Sequence, residues 1–285
     1  MGIIFGLLAA LGQAFGYVSI KKSFKELNPS IAFFFDACFG LLLWVPFALF
    51  TGINFSQLPV VVGFALISAL LSEAFVFYAL SKGYLSISGT LFASYPIFTI
   101  FFSYILNGER LLPLHWLFVG LTILGVIIVS LPKRFKKEEL KEKLYVVWPL
   151  AAAITVGLSD TLSKGIIDKT SAETFLFALA FAQLPVAIGY LLISRQSLGQ
   201  FELALREFSK YKFAILGSFL NIVAVLFLWL AFSSTFASIA SPLTAAYPAL
   251  LVILSMIFLK EKPSKKELIG LITAIIGIVG ISMYY

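Results

Sequence analysis

The chain has 285 residues, of which 60% are hydrophobic and 12% are charged, and its formal net charge is +7. A soluble domain carries about 25% charged residues, so the composition excludes a soluble protein and predicts an all-α integral membrane protein. The single cysteine, Cys38, and the single histidine, His115, allow no disulfide within the chain and little metal chemistry. We therefore expect no metal ion and no cofactor.

The basic residues lie in short loops between apolar segments, as residues that orient a protein in a membrane do. Nucleic-acid binding instead needs basic residues gathered on one folded, water-exposed face, and we expect no such partner. The expected partners are the lipid bilayer and a small-molecule substrate. The chain is expected to be a monomer or a homodimer.

Ten apolar segments, each close to the roughly 20 residues that cross a bilayer, predict ten transmembrane helices. The first segment has no basic residues before its apolar run, so we expect it to be retained and not cleaved as a signal peptide. The ten predicted spans cover approximately residues 2–20, 30–50, 58–80, 85–106, 113–131, 146–163, 172–193, 213–232, 236–259 and 267–285.

Two connections differ from the other short loops. The charged run 133–143 predicts a linker over residues 133–145. Between spans seven and eight, apolar residues recur at three- and four-residue spacing among charged ones, which predicts a short amphipathic helix at the membrane surface. These apolar residues are Leu198, Phe201, Leu205 and Phe208.

Lysine and arginine are concentrated on one side of the predicted spans. The loops after spans one, three, five, seven and nine contain 18 of these residues, and the opposite side has only Arg110, Lys164 and Lys169. Basic loops are retained in the cytoplasm. We therefore place the charged linker in the cytoplasm and both termini outside the cell membrane.

The second half of the chain repeats the first at an offset of 152 residues. This offset aligns the Tyr-Pro pair at 95–96 with the pair at 247–248 and Glu109 with Glu261, and residues 86–130 contain 12 identities in 45 positions. It predicts two five-helix repeats, residues 1–132 and 146–285. An odd number of spans per repeat makes the second repeat enter the membrane from the opposite side, and such inverted repeats recur in secondary transporters.

This pattern resembles the drug/metabolite transporter superfamily, and most of all its EamA-like members. The resemblance is carried by the five-plus-five spans, Tyr-Pro in the fourth span of each half, a glutamate thirteen residues after that proline, and Gly125 or Gly277 sixteen residues further on. Two positions depart from the family pattern, Lys260 in the second half and Phe118 in the first. The resemblance implies that spans one to four and six to nine surround a central cavity. It leaves the cargo open, since the superfamily carries amino acids, sugars, nucleotide sugars and drugs.

Ionisable groups inside a membrane are costly unless they are paired or hydrated, so each is a candidate functional residue. Asp36 and Glu73 lie about seven residues from the cytoplasmic ends of their spans, at a shared depth of about 10 Å. We interpret them as a proton-coupling site or a gate. The alternative is that each pairs with Lys21 or Lys22 at the end of span one.

Two further residues receive structural interpretations. Asp160 lies four residues before Lys164, so the two side chains are expected to form an ion pair on one helix face. Trp229 lies near the end of span eight, where we expect it to anchor the helix at the membrane interface.

Uncharged polar side chains from five spans are predicted near the bilayer centre, where a buried amide or phenol must find a partner. Their convergence on one depth indicates a substrate-binding site, although hydrogen bonding between helices is the alternative for each residue alone. The five residues are Gln13, Tyr95, Gln183, Asn221 and Tyr247.

Pro96 and Pro248 lie in the middle of their spans, where a proline removes one helical hydrogen bond and bends or breaks the helix. They are candidate hinges for alternating access. The alternative is a static kink of the kind common in membrane helices.

These features predict a secondary active transporter, and not an enzyme, that moves a small polar or amphipathic metabolite by alternating access. The resemblance favours export of an amino acid or a related compound, and Glu73 suggests proton coupling. The alternatives are a membrane-embedded enzyme or carrier acting on lipid-linked substrates and a scaffold without transport activity.

Overall fold

A computed structural model describes residues 1–24, 26–82, 91–131, 144–258 and 263–284 of the chain. Within these ranges, all regular structure is helical. The charged run 133–143 of the predicted linker, Lys260 and the repeat residue Glu261 lie outside the described residues. So do the side chains of Lys21 and Lys22, the alternative partners of the two acids.

The described residues of the first half form six α-helices. A π-helical segment, Ala69–Ala74, joins α3 to α4, and α5 continues into another, Ser103–Asn107. The helices are α1 (Gly2–Ser23), α2 (Pro29–Thr51), α3 (Leu58–Ser68), α4 (Phe75–Lys82), α5 (Tyr95–Phe102) and α6 (Pro113–Ser130).

In the second half, seven α-helices lie within the described ranges. One of them, α9, confirms the short helix that the sequence predicts between spans seven and eight. The helices are α7 (Leu144–Ile167), α8 (Ala172–Ile193), α9 (Leu198–Arg206), α10 (Phe208–Ser234), α11 (Ala237–Thr244), α12 (Tyr247–Phe258) and α13 (Lys265–Tyr284).

Eight helical segments of the described chain are long and apolar enough to cross a bilayer. Two shorter apolar helices, Gly2–Gly16 and Tyr95–Asn107, accompany them. The chain is therefore a multi-pass helical membrane protein, as its composition predicts. The count of ten spans stays a prediction.

Two of the long helices, α2 and α8, begin at residues whose side chains satisfy free N–H groups. The Asn28 side chain accepts a hydrogen bond from Ser30 N at 3.0 Å before α2, and Ser171 Oγ accepts one from Thr174 N at 3.1 Å before α8. Proline occupies the first turn of α2, α3, α5 and α6, where its missing N–H has no helical partner to lose.

Small residues let several helices touch along their backbones. A Cβ on Gly12 of α1 would lie 2.8 Å from the Cβ of Ala224 on α10. Between α6 and α13, a Cβ on Gly125 would lie 2.3 Å from Ala274 N, and one on Gly277 would lie 2.5 Å from a backbone nitrogen of α6. Close approach of this kind is how helices associate in lipid, where burial of apolar surface gives no drive for association.

The two candidate hinge prolines stand at helix starts. Pro96 is the second residue of α5, and Pro248 is the second residue of α12, which follows α11 after the turn at Ala245 and Ala246. Both turn residues are at most 1% exposed, so the broken backbone faces protein and not lipid. The prolines therefore coincide with breaks in the helices and not with kinks in continuous ones.

Candidate functional site

A cavity of about 40 Å³ lies among α1, the α3–α4 segment, α5, α7 and α10. Its wall combines polar side chains with aromatic ones, and helices from both halves of the chain contribute to it. The polar residues that line it are Gln13, Ser72, Glu73, Asp160 and Asn221, and the aromatic ones are Phe77, Phe92, Tyr95 and Trp229.

Glu73 reaches the cavity from the π-helical segment Ala69–Ala74. A π-helical turn inserts one extra residue into a helix and redirects the side chains that follow, and such turns are frequent at functional sites. The carboxylate of Glu73 accepts a hydrogen bond from Nε2 of Gln183 on α8. Gln183 has room for this contact because it lies over Gly40, where a Cβ would come within 2.6 Å of Oε1.

Asp36 makes the second contact between an acid and an amide. Asn221 Nδ2 on α10 donates a hydrogen bond to Asp36 Oδ2 on α2 at 2.6 Å. Two flanking bonds hold α2 and α10 in this register: Ser218 Oγ donates to a carbonyl of α2, and Trp44 Nε1 donates to a carbonyl of α10, each at 3.1 Å. Asp36 is 2% exposed, and its bond to Asn221 places it behind the cavity wall.

The structure brings three of the five predicted substrate-binding residues to the cavity. Gln13, Tyr95 and Asn221 line it, and Gln183 lies one contact away through its bond to Glu73. Tyr247 is buried elsewhere, in an apolar cluster with residues of α1. The roles of these residues in binding stay predictions.

The expected ion pair between Asp160 and Lys164 is wrong. Lys164 Nζ bonds Asp168, one turn further along the chain, whose side chain is 51% exposed. Asp160 instead is 2% exposed and lines the cavity beside Thr99. The i to i+4 spacing allows Lys164 to pair with either Asp160 or Asp168. The lysine pairs with Asp168, the acid nearer the end of the helix, and Asp160 faces the cavity.

The expected interfacial position of Trp229 is also wrong. Its side chain is 1% exposed, contacts Phe175 with a centroid distance of 4.8 Å, and lines the cavity. The sequence carries a signal for this position, because Trp229 follows Asn221 by eight residues, which places both side chains on one helix face.

Four polar atoms of the cavity wall are buried and have no hydrogen-bond partner among the residues that the structure describes. They are Gln13 Oε1, Asp160 Oδ2, Asn221 Oδ1 and Trp229 Nε1. Buried polar atoms in folded proteins are normally hydrogen-bonded, since leaving one unpaired costs about 1–3 kcal/mol. The wall therefore offers its free hydrogen-bonding capacity to whatever solute or water enters the cavity.

A bundle of apolar helices that encloses a small cavity with buried polar groups in its wall is typical of membrane transporters. The chain belongs to the EamA-like transporter family, whose sequence model matches residues 1–131 and again residues 143–283. The predicted family resemblance is thereby confirmed.

Individual relatives agree with this assignment. An uncharacterized transporter of Archaeoglobus fulgidus is 24% identical over 97% of this chain and 96% of its own length. An uncharacterized transporter of Synechocystis is 27% identical over 52% of this chain and 46% of its own length, so the match spans less than half of that relative. A protein of known crystal structure, 18% identical, shares the fold with a TM-score of 0.71 over 99% of this chain and 97% of its own.

Proposed function

We propose that this protein is a secondary active transporter that moves a small polar or amphipathic metabolite, an amino acid or a related compound, out of the cell by alternating access. The observation that carries the proposal is the cavity itself, whose unsatisfied polar atoms come from both halves of the chain. Gln13 belongs to the first half, and Asp160, Asn221 and Trp229 belong to the second. A solute bound there contacts both halves at once, as alternating access requires.

We infer that the two halves, residues 1–132 and 146–285, are inverted repeats. The helix neighbours support this, because contacts recur with the two halves exchanged. The first helix of the first half, α1, packs on the third span of the second half, α10, and α7 packs on the α3–α4 segment in the same way. The two separate matches to the family model also support the division.

The proposed topology places both termini outside the cell membrane and the charged linker in the cytoplasm. Its support is the uneven distribution of lysine and arginine, with 18 of these residues in the loops on one side and three on the other.

Proton coupling through Glu73, assisted by Asp36, completes the proposal. Each acid belongs to the first half and accepts a hydrogen bond from an amide of the second half, Gln183 or Asn221. A hydrogen bond to an ionised carboxylate is about twice as strong as one to a neutral group. Protonation of either acid therefore weakens a link between the halves and lets them move relative to each other.

The test is uptake of a mixture of radiolabelled amino acids into proteoliposomes, measured against an unlabelled internal load for counterflow and under an imposed pH gradient for accumulation. Glu73→Gln keeps the shape of the side chain and removes its titration, so we expect counterflow to continue and gradient-driven accumulation to fall to the background level. Glu202→Gln is the matched control, because that carboxyl is 63% exposed on α9. Unchanged accumulation by Glu73→Gln would remove the coupling proposal, and the absence of counterflow in the wild type would count against transport of amino acids.

A further inference from the structure

The cavity has an unbalanced charge. Glu73 and Asp160 line it, and the described lining residues include no lysine or arginine. A third acid, Asp36, is bonded to the lining residue Asn221. Lys164, one turn beyond Asp160 on α7, is bonded to Asp168. Burying a carboxylate without a cation is strongly unfavourable, so the site favours an occupant that brings positive charge.

The hydrogen-bonding capacity of the wall has the same bias. Of its four unpartnered buried atoms, three are acceptors, namely the oxygens of Gln13, Asp160 and Asn221. A primary ammonium group carries three N–H donors and no acceptor, as a lysine side chain does. An incoming carboxylate would instead meet three acceptors and the side chains of two acids.

The aromatic part of the wall is suited to the same ligand. Phe77, Phe92, Tyr95 and Trp229 border the space that the acids share. An aromatic face attracts a cation within about 6 Å of the ring centroid. These rings also provide apolar surface for a hydrocarbon or aromatic body attached to the ammonium group.

We propose, on the basis of the proposed transport function, that the cavity recognises the protonated primary amine of its cargo, and that Asp160 binds this group beside the unpartnered oxygens of Gln13 and Asn221. The class of cargo is thereby narrowed to compounds that carry a primary ammonium group, which simple organic amines and amino acids share. The space of about 40 Å³ matches an ammonium head group with a few water molecules. The rest of the cargo enters when the surrounding helices part.

Three compounds that share a phenylethyl group test this inference by equilibrium binding to the purified full-length protein. Phenethylamine carries the amine alone, phenylalanine carries both charged groups, and 3-phenylpropionate carries the carboxylate alone. We expect affinity to fall in that order, with the acid at least about tenfold weaker than the amine. Equal or tighter binding of 3-phenylpropionate would overturn the inference.

Variants locate the recognised charge. Asp160→Asn is expected to weaken phenethylamine binding at least about tenfold, Asp160→Glu to restore most of it, and the surface control Glu202→Gln to leave it unchanged. If Asp160→Asn fails to fold, Gln13→Met removes another acceptor and is expected to weaken the amine and spare the acid. Unaltered phenethylamine binding in a folded Asp160→Asn protein, or in Gln13→Met, contradicts the assignment.

Flux of the same compounds in proteoliposomes separates this inference from the proposed function. Transport of 3-phenylpropionate without transport of phenethylamine would overturn amine recognition and leave the transporter intact. Tight, Asp160-dependent binding of phenethylamine without flux of any of the three compounds would support amine recognition and count against transport.

Discussion

Gly40 is the small residue on which the position of the Gln183 amide depends. A Cβ at this position would lie 2.6 Å from Gln183 Oε1 and 3.3 Å from the ring of Trp44. Because the amide is the free end of a flexible side chain, it can move away without displacing a helix. A methyl group at position 40 is therefore expected to disturb the hydrogen bond from Gln183 to Glu73 and to leave the packing of α2 unchanged.

We expect Gly40→Ala to lower the transport rate several-fold while the melting temperature changes little. The matched control is Gly63→Ala on α3, since a Cβ there meets no atom within 4 Å. Initial rates in proteoliposomes and thermal unfolding in detergent measure the two effects. Equal transport rates for the two variants would show that the hydrogen bond from Gln183 to Glu73 does not affect transport.

Single residues show where the sequence is informative and where it is not. Asp36 and Glu73 can be selected from the sequence because a charge inside an apolar span is costly and therefore conspicuous. Their partners, Gln183 and Asn221, are more than 100 positions away along the chain, and only tertiary packing brings them together. Asp160 is misassigned because the i to i+4 rule considers one helix alone and ignores depth.

At the scale of the helices, Glu109 joins the two halves by capping α11. Its carboxylate accepts hydrogen bonds from Ala237 N and Ser238 N, each at 2.9 Å, and from Ser238 Oγ. The side chain is 7% exposed, and it offsets the positive end of the helix dipole at the N-terminus of α11. These contacts tie the loop after α5 in the first half to the start of α11 in the second half.

Glu109→Ala removes all three acceptor contacts at once. We expect a loss of about 2 kcal/mol of unfolding free energy, the upper end for a helix cap, and a correspondingly lower melting temperature. Glu202→Ala, an exposed glutamate on α9, serves as the control and is expected to change stability by less than about 0.5 kcal/mol. Indistinguishable melting curves for the two variants would contradict the expectation that the Glu109 cap stabilises the fold.

The helices themselves follow from hydropathy and length, because a lipid environment forces every spanning backbone to satisfy its own hydrogen bonds. Their irregular parts do not follow. Hydropathy cannot distinguish the π-helical segment Ala69–Ala74 from an α-helix of the same residues. It also locates Pro248 within a span without indicating that a new helix starts at Tyr247 after an interior turn.

At the scale of the molecule, the proposed topology makes a prediction about opposite faces. Cys38→Ser removes the only cysteine of the chain and provides the background for two single-cysteine variants. Lys169 is exposed in the connection between α7 and α8, and Gln200 is exposed on α9, so each is replaced by cysteine in turn. A membrane-impermeant thiol reagent added to intact cells is expected to label the first and not the second. Labelling of both, or of Gln200→Cys alone, would overturn the orientation.

The fold class and the transporter family can be predicted from the sequence because both depend on patterns that repeat along the whole chain. The composition of the cavity cannot, since it depends on which side of each helix faces the centre. The apolar pattern of a span does not determine how the helix is rotated about its own axis. Tyr247 is the example: its predicted depth suits a central site, but its side chain packs against Ala10 and Ala14 of α1.

The most direct measurement of alternating access is the reactivity of Ser72→Cys in the Cys38→Ser background. Ser72 lines the cavity beside Glu73, and a cysteine there differs from serine by one atom. Right-side-out and inside-out vesicles are treated separately with a membrane-impermeant thiol reagent, with and without phenethylamine. Alternating access predicts labelling from both faces, slowed by the amine in each case. Labelling from one face alone, or from neither, would contradict alternating access.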